Sequence, residues 1–576
     1  MTSPVNVALS LRSMADLQPH RPAVIFPHGR DNANRVAYTH LTFRQLHEDS
    51  DRIAHGLQQI GVHRGLRTVL MVTPSLDFFS LVFAMFKVGA VPVLIDPGMG
   101  IRNLGRCLAE AEPSAFIGIP KAQLARRVLR WGRRTIRIRV SVGSKWLGGQ
   151  WSLDELRKFV PSTPFPIADT TADELAAILF TSGSTGIAKG VMYTHGTFAT
   201  QVRLLHEVYG IQPGEMDLPT FPLFALFGPA LGMTAVIPDM DPTRPASVDP
   251  KKIIEAIENF GITNMFGSPA LINRVGRFGA EHNIKLPTLK RAISAGAPVP
   301  AAVIERFTRM LNDGCEVWTP YGATEALPVA SIGSREILTE TRAWTDRGAG
   351  VCVGRPVPDA EVHIIPISDE PIINWDPSLS LSSGTIGEIT VRGPMVTKSY
   401  FGRDEATRLA KIHDASGEIY HRMGDIGYRD DRGRLWFCGR KSHRVKTSKG
   451  TLFTIPVEAV FNTHPSVFRT ALVGYEEAGE TYPVLCVERE IDIPNDQTLI
   501  AELQQLGQMF PHTKAIQVFL ICAKFPVDIR HNAKIFREKL ALTAMWELVR
   551  RKWTPEPLAD IAPVPVYHSS SIDPSI

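Results

Sequence analysis

The sequence predicts an α/β protein in which parallel sheets are covered by helices, followed by a smaller α+β unit. Two patterns carry this reading. Short apolar runs rich in Val and Ile, such as Thr68–Thr73 and Val91–Ile95, alternate with helical stretches such as Phe43–Ile60 and Leu76–Val88. Parallel strands need crossovers of about that length, and helices supply them. After about Glu361 the texture changes to short strands separated by turn residues, EVHIIPISDE, GTIGEITVRG and GRLWFCGR, which predicts a β-rich subdomain ending near Arg440.

The first stretch, MTSPVNVALSLRSMADLQPHRPAV, has no basic segment leading into an unbroken apolar core. It therefore predicts an opening helix and no secretory signal. The strand–helix rhythm returns at Lys251–Phe260, Ile262–Phe266 and Ala301–Leu311. Between these, Phe221–Pro238 is uncharged over eighteen residues but carries three prolines and two glycines. With no second span to rescue its backbone, buried core or the wall of an apolar pocket fits better than a membrane helix. Beyond Arg440 a compact α+β segment runs to about Trp553 and closes on the helical stretch KIFREKLALTAMWELVRRK. The Pro- and Ser-rich remainder, 555–576, predicts a flexible tail.

At 576 residues with 44% hydrophobic and 21% charged content, the chain can bury several cores and divide into two or three domains. A net charge of +5 is too small to demand a polyanionic partner such as nucleic acid. The excess is local: Lys121–Lys145 holds nine basic residues and no acidic one, patterned as a short helix followed by an alternating Arg/Ile strand. This is either a docking surface for an acidic partner or an anionic membrane face, or a solvated face guarding an edge strand. Six cysteines without a CxxC pair suit a reducing cytoplasm.

The most informative segment is the apolar run Ala177–Phe180 passing into Thr181-Ser-Gly-Ser-Thr-Gly186 and then Lys189-Gly190. Glycines let backbone N–H groups converge on an anion, and the hydroxyls of Thr181, Ser182, Ser184 and Thr185 add donors. The loop is built for phosphate. Lys189 stands three residues after Gly186, with no Ser or Thr behind it, which excludes a Walker loop. Gly348-Ala-Gly-Val-Cys-Val-Gly354 has the wrong spacing for a dinucleotide fingerprint.

This loop resembles the signature phosphate loop of the acyl-adenylate-forming superfamily, the acyl-CoA synthetases, peptide-synthetase adenylation domains and luciferases. Further segments match in order, from Gly89–Pro97 to Asn532–Ile535. Ala295-Gly-Ala-Pro298 resembles the adenine-contacting turn, and Tyr321-Gly-Ala-Thr-Glu325 the aromatic-plus-acid segment. The resemblance implies that ATP and Mg²⁺ are used. Thr181, Ser182, Gly183, Ser184, Thr185, Gly186 and Lys189 would hold phosphate. Gly296, Ala297, Pro298, Tyr321, Gly322 and Ala323 would line the adenine site, with Thr324 near the α-phosphate. Asp425, in Arg422-Met-Gly-Asp425, and Arg440 would take the ribose, and Glu325 would be the metal ligand. Lys534, Glu325 and Thr185 are the implied catalytic residues; Lys534 would answer charge developing at the α-phosphorus, with Lys446 the next lysine to consider.

The same resemblance implies a large domain, 1–440, of two α/β subdomains and a β-barrel-like one, and a small mobile domain, 441–554, hinged near Ser442. Three positions depart from the usual pattern: Ala533 for a glycine before the lysine, Ala225 for a histidine or aromatic, and Ser442 for Asp or Lys. Asp96–Gly100, Gly118–Lys121 and His421–Asp425 through His443 resemble the branch that forms β-lactones from 2-alkyl-3-hydroxy fatty acids in bacterial long-chain olefin biosynthesis. In that chemistry the substrate's own 3-hydroxyl is the nucleophile and no CoA is needed. His195 is either a base for that hydroxyl or a structural histidine. Other readings are a long-chain acyl-CoA or acyl-carrier ligase, and a nucleotide-binding scaffold that gathers other enzymes of a lipid pathway through 121–145. A cytoplasmic protein without a membrane span is expected.

Overall fold

A computed structural model describes residues 4–159, 163–181, 188–221, 227–490, 495–527 and 535–569. Two large sheets and a small carboxy-terminal unit make up the molecule. The seven-stranded sheet runs in spatial order Trp151–Ser152, Ile138–Ser141, Ala115–Gly118, Arg67–Met71, Val91–Ile95, Leu175–Thr181, Lys189–Thr194. All its pairings are parallel except the last, where Leu175–Thr181 turns back on Lys189–Thr194 as a hairpin. The second sheet has fourteen strands and changes character along its width. From Pro22–Arg30 through Thr234–Val236, Met216–Pro219, Asn264–Gly267 and Arg291–Ser294 to Glu316–Ala323 it is parallel. From there to Glu361–Ile365 it is antiparallel.

The β-rich region is therefore not the barrel-like subdomain expected. Its strands extend the parallel sheet edge to edge, through the pairing of Glu316–Ala323 with Ala326–Gly333, and among the described residues no closed barrel forms. A texture of short strands and turns is common to barrels and open antiparallel sheets, which is why sequence did not separate them.

The helix Leu76–Val88 shows how strongly the α/β core is specified. Ser75 caps its amino end by accepting from Phe78 N, and Gly89 at φ 74° ends it in the left-handed conformation. Every residue from Phe78 to Val88 is buried, so it reads as apolar all round. Lys87 is the exception in chemistry. Its Nζ donates to Asp51 Oδ1 at 2.6 Å and His47 O at 2.8 Å on the neighbouring helix Phe43–Gln59, and burial still pulls its pKa down to about 8. A buried cation is tolerable only with such partners.

After Arg440 come the hairpin Val445–Thr447 and Gly450–Leu452, a three-stranded sheet of Val467–Glu477, Glu480–Arg489 and Val518–Cys522, and the helices Thr454–Phe461, Asp496–Gln508 and Arg537–Arg550. The tail differs from expectation as far as it is described. Tyr567 is fully buried, stacked on Trp436 with ring centroids 5.5 Å apart, and its hydroxyl donates to Glu340 Oε1 at 2.6 Å. A Pro- and Ser-rich composition says nothing about a single aromatic anchor. All six cysteines are free thiols, and among the described residues no helix is long and apolar enough to cross a membrane.

Candidate active site

In an open parallel sheet, ligands gather outside the carboxyl ends of the strands, and two of the sequence-predicted segments lie there. Gly296, Ala297 and Pro298 follow directly on the strand Arg291–Ser294. Gly296 has φ 103°, which a side chain would strain. Tyr321, Gly322 and Ala323 end the next strand, Glu316–Ala323, at a register shift between Tyr321 and Ala323. A Cβ on Gly322 would stand 2.6 Å from Ala326 O, so only glycine fits that bulge.

Asp425 and Arg440 are directly opposed on the antiparallel strands Ile419–Arg429 and Leu435–Arg440. Tyr321 Oη donates to Asp425 Oδ2 at 2.7 Å, and Arg440 Nη1 lies 3.0 Å from Asp425 Oδ1. Arg440 spends a hydrogen bond on Met423 O at 3.1 Å, and Asp425 Oδ1, buried, accepts none among the described residues. Burial pushes the Asp425 carboxyl above its usual range, while Arg440 and Tyr321 pull it back. Asp425 in turn holds the Arg440 guanidinium more firmly charged. The result is a paired carboxylate with one lone pair still to be used, which fits a ribose hydroxyl.

Glu325 is fixed independently. Tyr400 Oη donates to its Oε1 at 2.7 Å, and Thr397 donates to its backbone carbonyl through N at 2.8 Å and Oγ1 at 3.1 Å. Burial, with the Glu325 charge beside it, raises the Tyr400 phenol, so it stays a donor at any ordinary pH. Lys411, fully buried, donates to Thr397 O; burial lowers its pKa to about 7 against the pull of Glu325. Among the described residues no three His, Cys, Asp or Glu side chains gather as a metal cage. A divalent ion at Glu325 would take most of its ligands from phosphate oxygens and water, the habit of Mg²⁺.

The two sheets meet at this point. Tyr193, on the last strand of the seven-stranded sheet, donates to Thr324 O at 2.6 Å. Lys189, opposite Thr181 at the mouth of the hairpin, places Nζ 4.9 Å from the centre of the Tyr400 ring. The tip of that hairpin, with Ser182, Gly183, Ser184, Thr185 and Gly186, lies outside the described residues, as do Ala225, Ala533 and Lys534. The segment bearing Lys534 is closed at its base by an antiparallel bridge between Val527 and Ile535.

Beside the turn Ala295–Pro298 lies a narrow apolar cavity of about 50 Å³ that opens to solvent. Ala295 and Pro320, next to the predicted nucleotide residues, form part of its wall, with Phe227, Leu231 and Met233 from the uncharged stretch Phe221–Pro238 and Phe266 from the strand Asn264–Gly267. Sequence gave no warning of the polar pair inside it. Asn264 Nδ2 donates to Asp217 Oδ1 at 2.6 Å, both are buried, and burial pushes Asp217 up to about 7.

Other expectations resolve differently. His195 opens the helix His195–Tyr209, lies against Phe86 with ring centroids 6.1 Å apart, and is held down to about 4 by burial. It does not line the cavity, and neither ring nitrogen has a partner among the described residues, so it is a core histidine but not a satisfied one. Lys446 is committed to Asp369 at 2.9 Å on an exposed face. Ser442 sits in the short 3₁₀ turn Lys441–His443 at the predicted hinge. Tyr400, Tyr193 and Lys411 were missed, because nothing local in Lys398-Ser-Tyr400 or Leu409-Ala-Lys411 marks them as neighbours of Glu325.

A family model described as AMP-binding enzyme matches residues 11–401. The chain belongs to the AMP-binding enzyme family. It is 51% identical over 556 residues to the olefin beta-lactone synthetase of Xanthomonas campestris pv. campestris, covering 95% of this chain and 99% of that one. It is 50% identical to the olefin beta-lactone synthetase of Stenotrophomonas maltophilia, covering 96% and 100%. Among solved structures it superposes on the anthranilate CoA ligase AuaEII in complex with anthranoyl-AMP with a TM-score of 0.78 at 18% identity, covering 95% and 99%. That likeness carries the fold, with its large amino-terminal and small carboxy-terminal domains, over 95% of the chain.

Proposed function

We propose that this chain activates a 2-alkyl-3-hydroxy fatty acid as its acyl-AMP and closes it to a β-lactone, the product for which its half-identical relatives, two olefin beta-lactone synthetases, are named. The observation that supports the reading is the narrow apolar cavity beside the turn Ala295–Pro298, where a fatty chain would lie next to a nucleotide held at that turn. A carboxylate oxygen attacks the α-phosphorus of ATP and diphosphate leaves. The 3-hydroxyl oxygen then attacks the activated carbonyl carbon, AMP leaves with the former carboxylate oxygen, and one proton is released.

In this reading Asp425 and Arg440 hold the ribose, Tyr321 packs at the adenine, and residues 181–186 with Lys189 hold phosphate. Mg²⁺ at Glu325, when bound, offsets charge on the phosphates. Lys534 acts at the α-phosphorus, and the large unit 1–440 and small unit 441–554 meet around it. Ring closure gains from proximity because the nucleophile is already on the substrate, and this offsets part of the four-membered ring's strain. Asp217 is no candidate for that hydroxyl's base. It lies level with Asn264 and Arg291, four residues before Ala295, or roughly 13 Å below the carboxyl edge at strand rise, where it meets the chain and not C3.

The test is product analysis with ATP and paired acids, with and without CoA. A 2-alkyl-3-hydroxy acid should yield one AMP per lactone, with no acceleration by CoA. The acid lacking the 3-hydroxyl should be adenylated and stall. A thioester formed only with CoA would replace the lactone reading with an acyl-CoA ligase.

A further inference from the structure

The basic segment singled out in sequence has a feature that charge counting misses. On the helix Pro120–Val128, Leu124 and Val128 are four residues apart and therefore on one face, 43% and 68% exposed, and Leu129 just beyond is 41% exposed. The loop after the strand Ile138–Ser141 carries Trp146, 90% exposed. That loop runs along the helix: a Cβ at Gly143 would lie 3.9 Å from Pro120, and one at Gly148 3.6 Å from Arg126 Nη2. The loop bearing exposed Trp146 thus lies alongside the helix that bears exposed Leu124 and Val128.

Around them stand Lys121, Arg127, Arg130, Arg133, Arg134 and Arg137, all exposed and none within ion-pair distance of a carboxylate among the described residues. Elsewhere exposed arginines are commonly paired, as Arg64 with Asp169 and Glu174 or Arg203 with Glu207 and Asp359. Nor are the half-exposed cations relieved: Arg126 is depressed by burial first and then by repulsion from Arg139 and Arg127. A merely solvated face has no use for an indole held out in water. A protein partner would be met by a contiguous apolar patch with paired polar groups at its rim, and here the apolar groups are separate prongs beside cations of which, among the described residues, Lys145 alone has a carboxylate partner, Glu155. That is the pattern of groups that enter the headgroup layer, with an aromatic ring at the interface and cations on lipid phosphates.

We propose that the helix Pro120–Val128 and the loop 142–149 form a docking surface for an anionic phospholipid bilayer. The surface is separate from the nucleotide site and cavity and does not depend on the reading of their function. Cations near an anionic leaflet act additively and are screened by salt within about 8 Å, whereas the apolar prongs are insensitive to salt.

The test is co-sedimentation of the full chain with phosphatidylcholine vesicles and with vesicles containing 30% phosphatidylglycerol. The chain should partition to the anionic vesicles only, and less in high salt. Reversing Arg127, Arg130 and Arg133 together to Glu should weaken partitioning by roughly 100-fold or more, and Trp146→Ala by roughly tenfold. Reversing Arg44, Lys290 and Lys514, exposed cations outside the patch with the same net-charge change, should leave most of it. All variants should keep ATP–pyrophosphate exchange, which shows that they fold. Absence of vesicle binding, equal binding to neutral vesicles, equal loss on reversing the distant cations, or no effect of Trp146→Ala would each overturn the proposal, the first favouring a protein partner.

Discussion

Replacing Asp217 by Asn should make the protein more tolerant of high pH. In the folded chain burial raises the Asp217 carboxyl from an ordinary 3.8 to about 7, and the bond from Asn264 offsets only part of that. The folded state therefore keeps a proton that the unfolded chain gives up near pH 4. Between these values it binds the extra proton, so stability falls as pH rises, and above about pH 7 the cost is complete. Three pH units of displacement correspond to about 4 kcal/mol. Asparagine keeps the shape and cannot ionise. At pH 5, just over one unit above the unfolded value, the variant should already be the more stable by about 1.6 kcal/mol in urea unfolding. At pH 8.5 the variant should be the more stable by about 3–4 kcal/mol. Lys411, drawn down to about 7 by burial, works with the opposite sign, its penalty relieved as pH rises from 7. It is common to both proteins and cancels in the difference. A stability difference that is the same at both pH values would refute a carboxyl held protonated in the cavity.

Asp425→Ala should weaken AMP binding by calorimetry about 10- to 100-fold, the loss of a charged acceptor at roughly 1.5–3 kcal/mol, while leaving the fold intact; unchanged affinity would move the ribose site elsewhere. Lys534→Ala should slow ATP–pyrophosphate exchange by roughly 10² to 10³-fold with far less effect on nucleotide affinity, because its contribution arises as charge develops. Tyr567→Ala should cost about 3–5 kcal/mol of the tail's attachment, read as rapid proteolytic cleavage between 555 and 569; equal protection of both proteins would show that the anchor lies elsewhere.

Periodic patterns made most of the fold legible. Phe43–Ile60 and Leu76–Val88 were expected as helices and are found at Phe43–Gln59 and Leu76–Val88, and the strand Val91–Ile95 is found unchanged. The phosphate-loop and Tyr321–Glu325 readings rest on segments that each pack their chemistry into a few consecutive residues. What sequence hid is convergence over distance. Tyr400 reaches Glu325 across 75 residues, and Arg440 and Asp425 become partners only through strand register. Asp217, in Glu215-Met-Asp217, reads as a strand-end polar residue and is found inside an apolar cavity, because its neighbour across the sheet is Asn264. Whether antiparallel strands close or stay open is decided by which edges pair, and no local pattern records that.

The tail bears on how freely the small domain can turn. It touches both domains: Ile561 N donates to Lys449 O at 3.4 Å and Asp560 pairs with Lys449 at 3.4 Å, while Tyr567 and Ser569 are held by Tyr428, Glu340 and Asp431. Between the anchors lie Ala562-Pro-Val-Pro-Val566, five residues, so that Ile561 and Tyr567 stand at most roughly 22 Å apart, and the link is stiffened by two prolines. A rotation that carries Lys449 farther than that from the Tyr567 socket must release one end. The ends are unequal. The exposed Asp560–Lys449 pair is worth about 0–1 kcal/mol, and a hydrogen bond at 3.4 Å adds little, whereas the Tyr567 socket buries a whole aromatic ring under the Arg434 guanidinium, 4.4 Å from the ring centre. The small-domain end lets go first. The tail therefore favours the present arrangement by about 1 kcal/mol or less per weak contact, and would stay with the large unit if the small one turned.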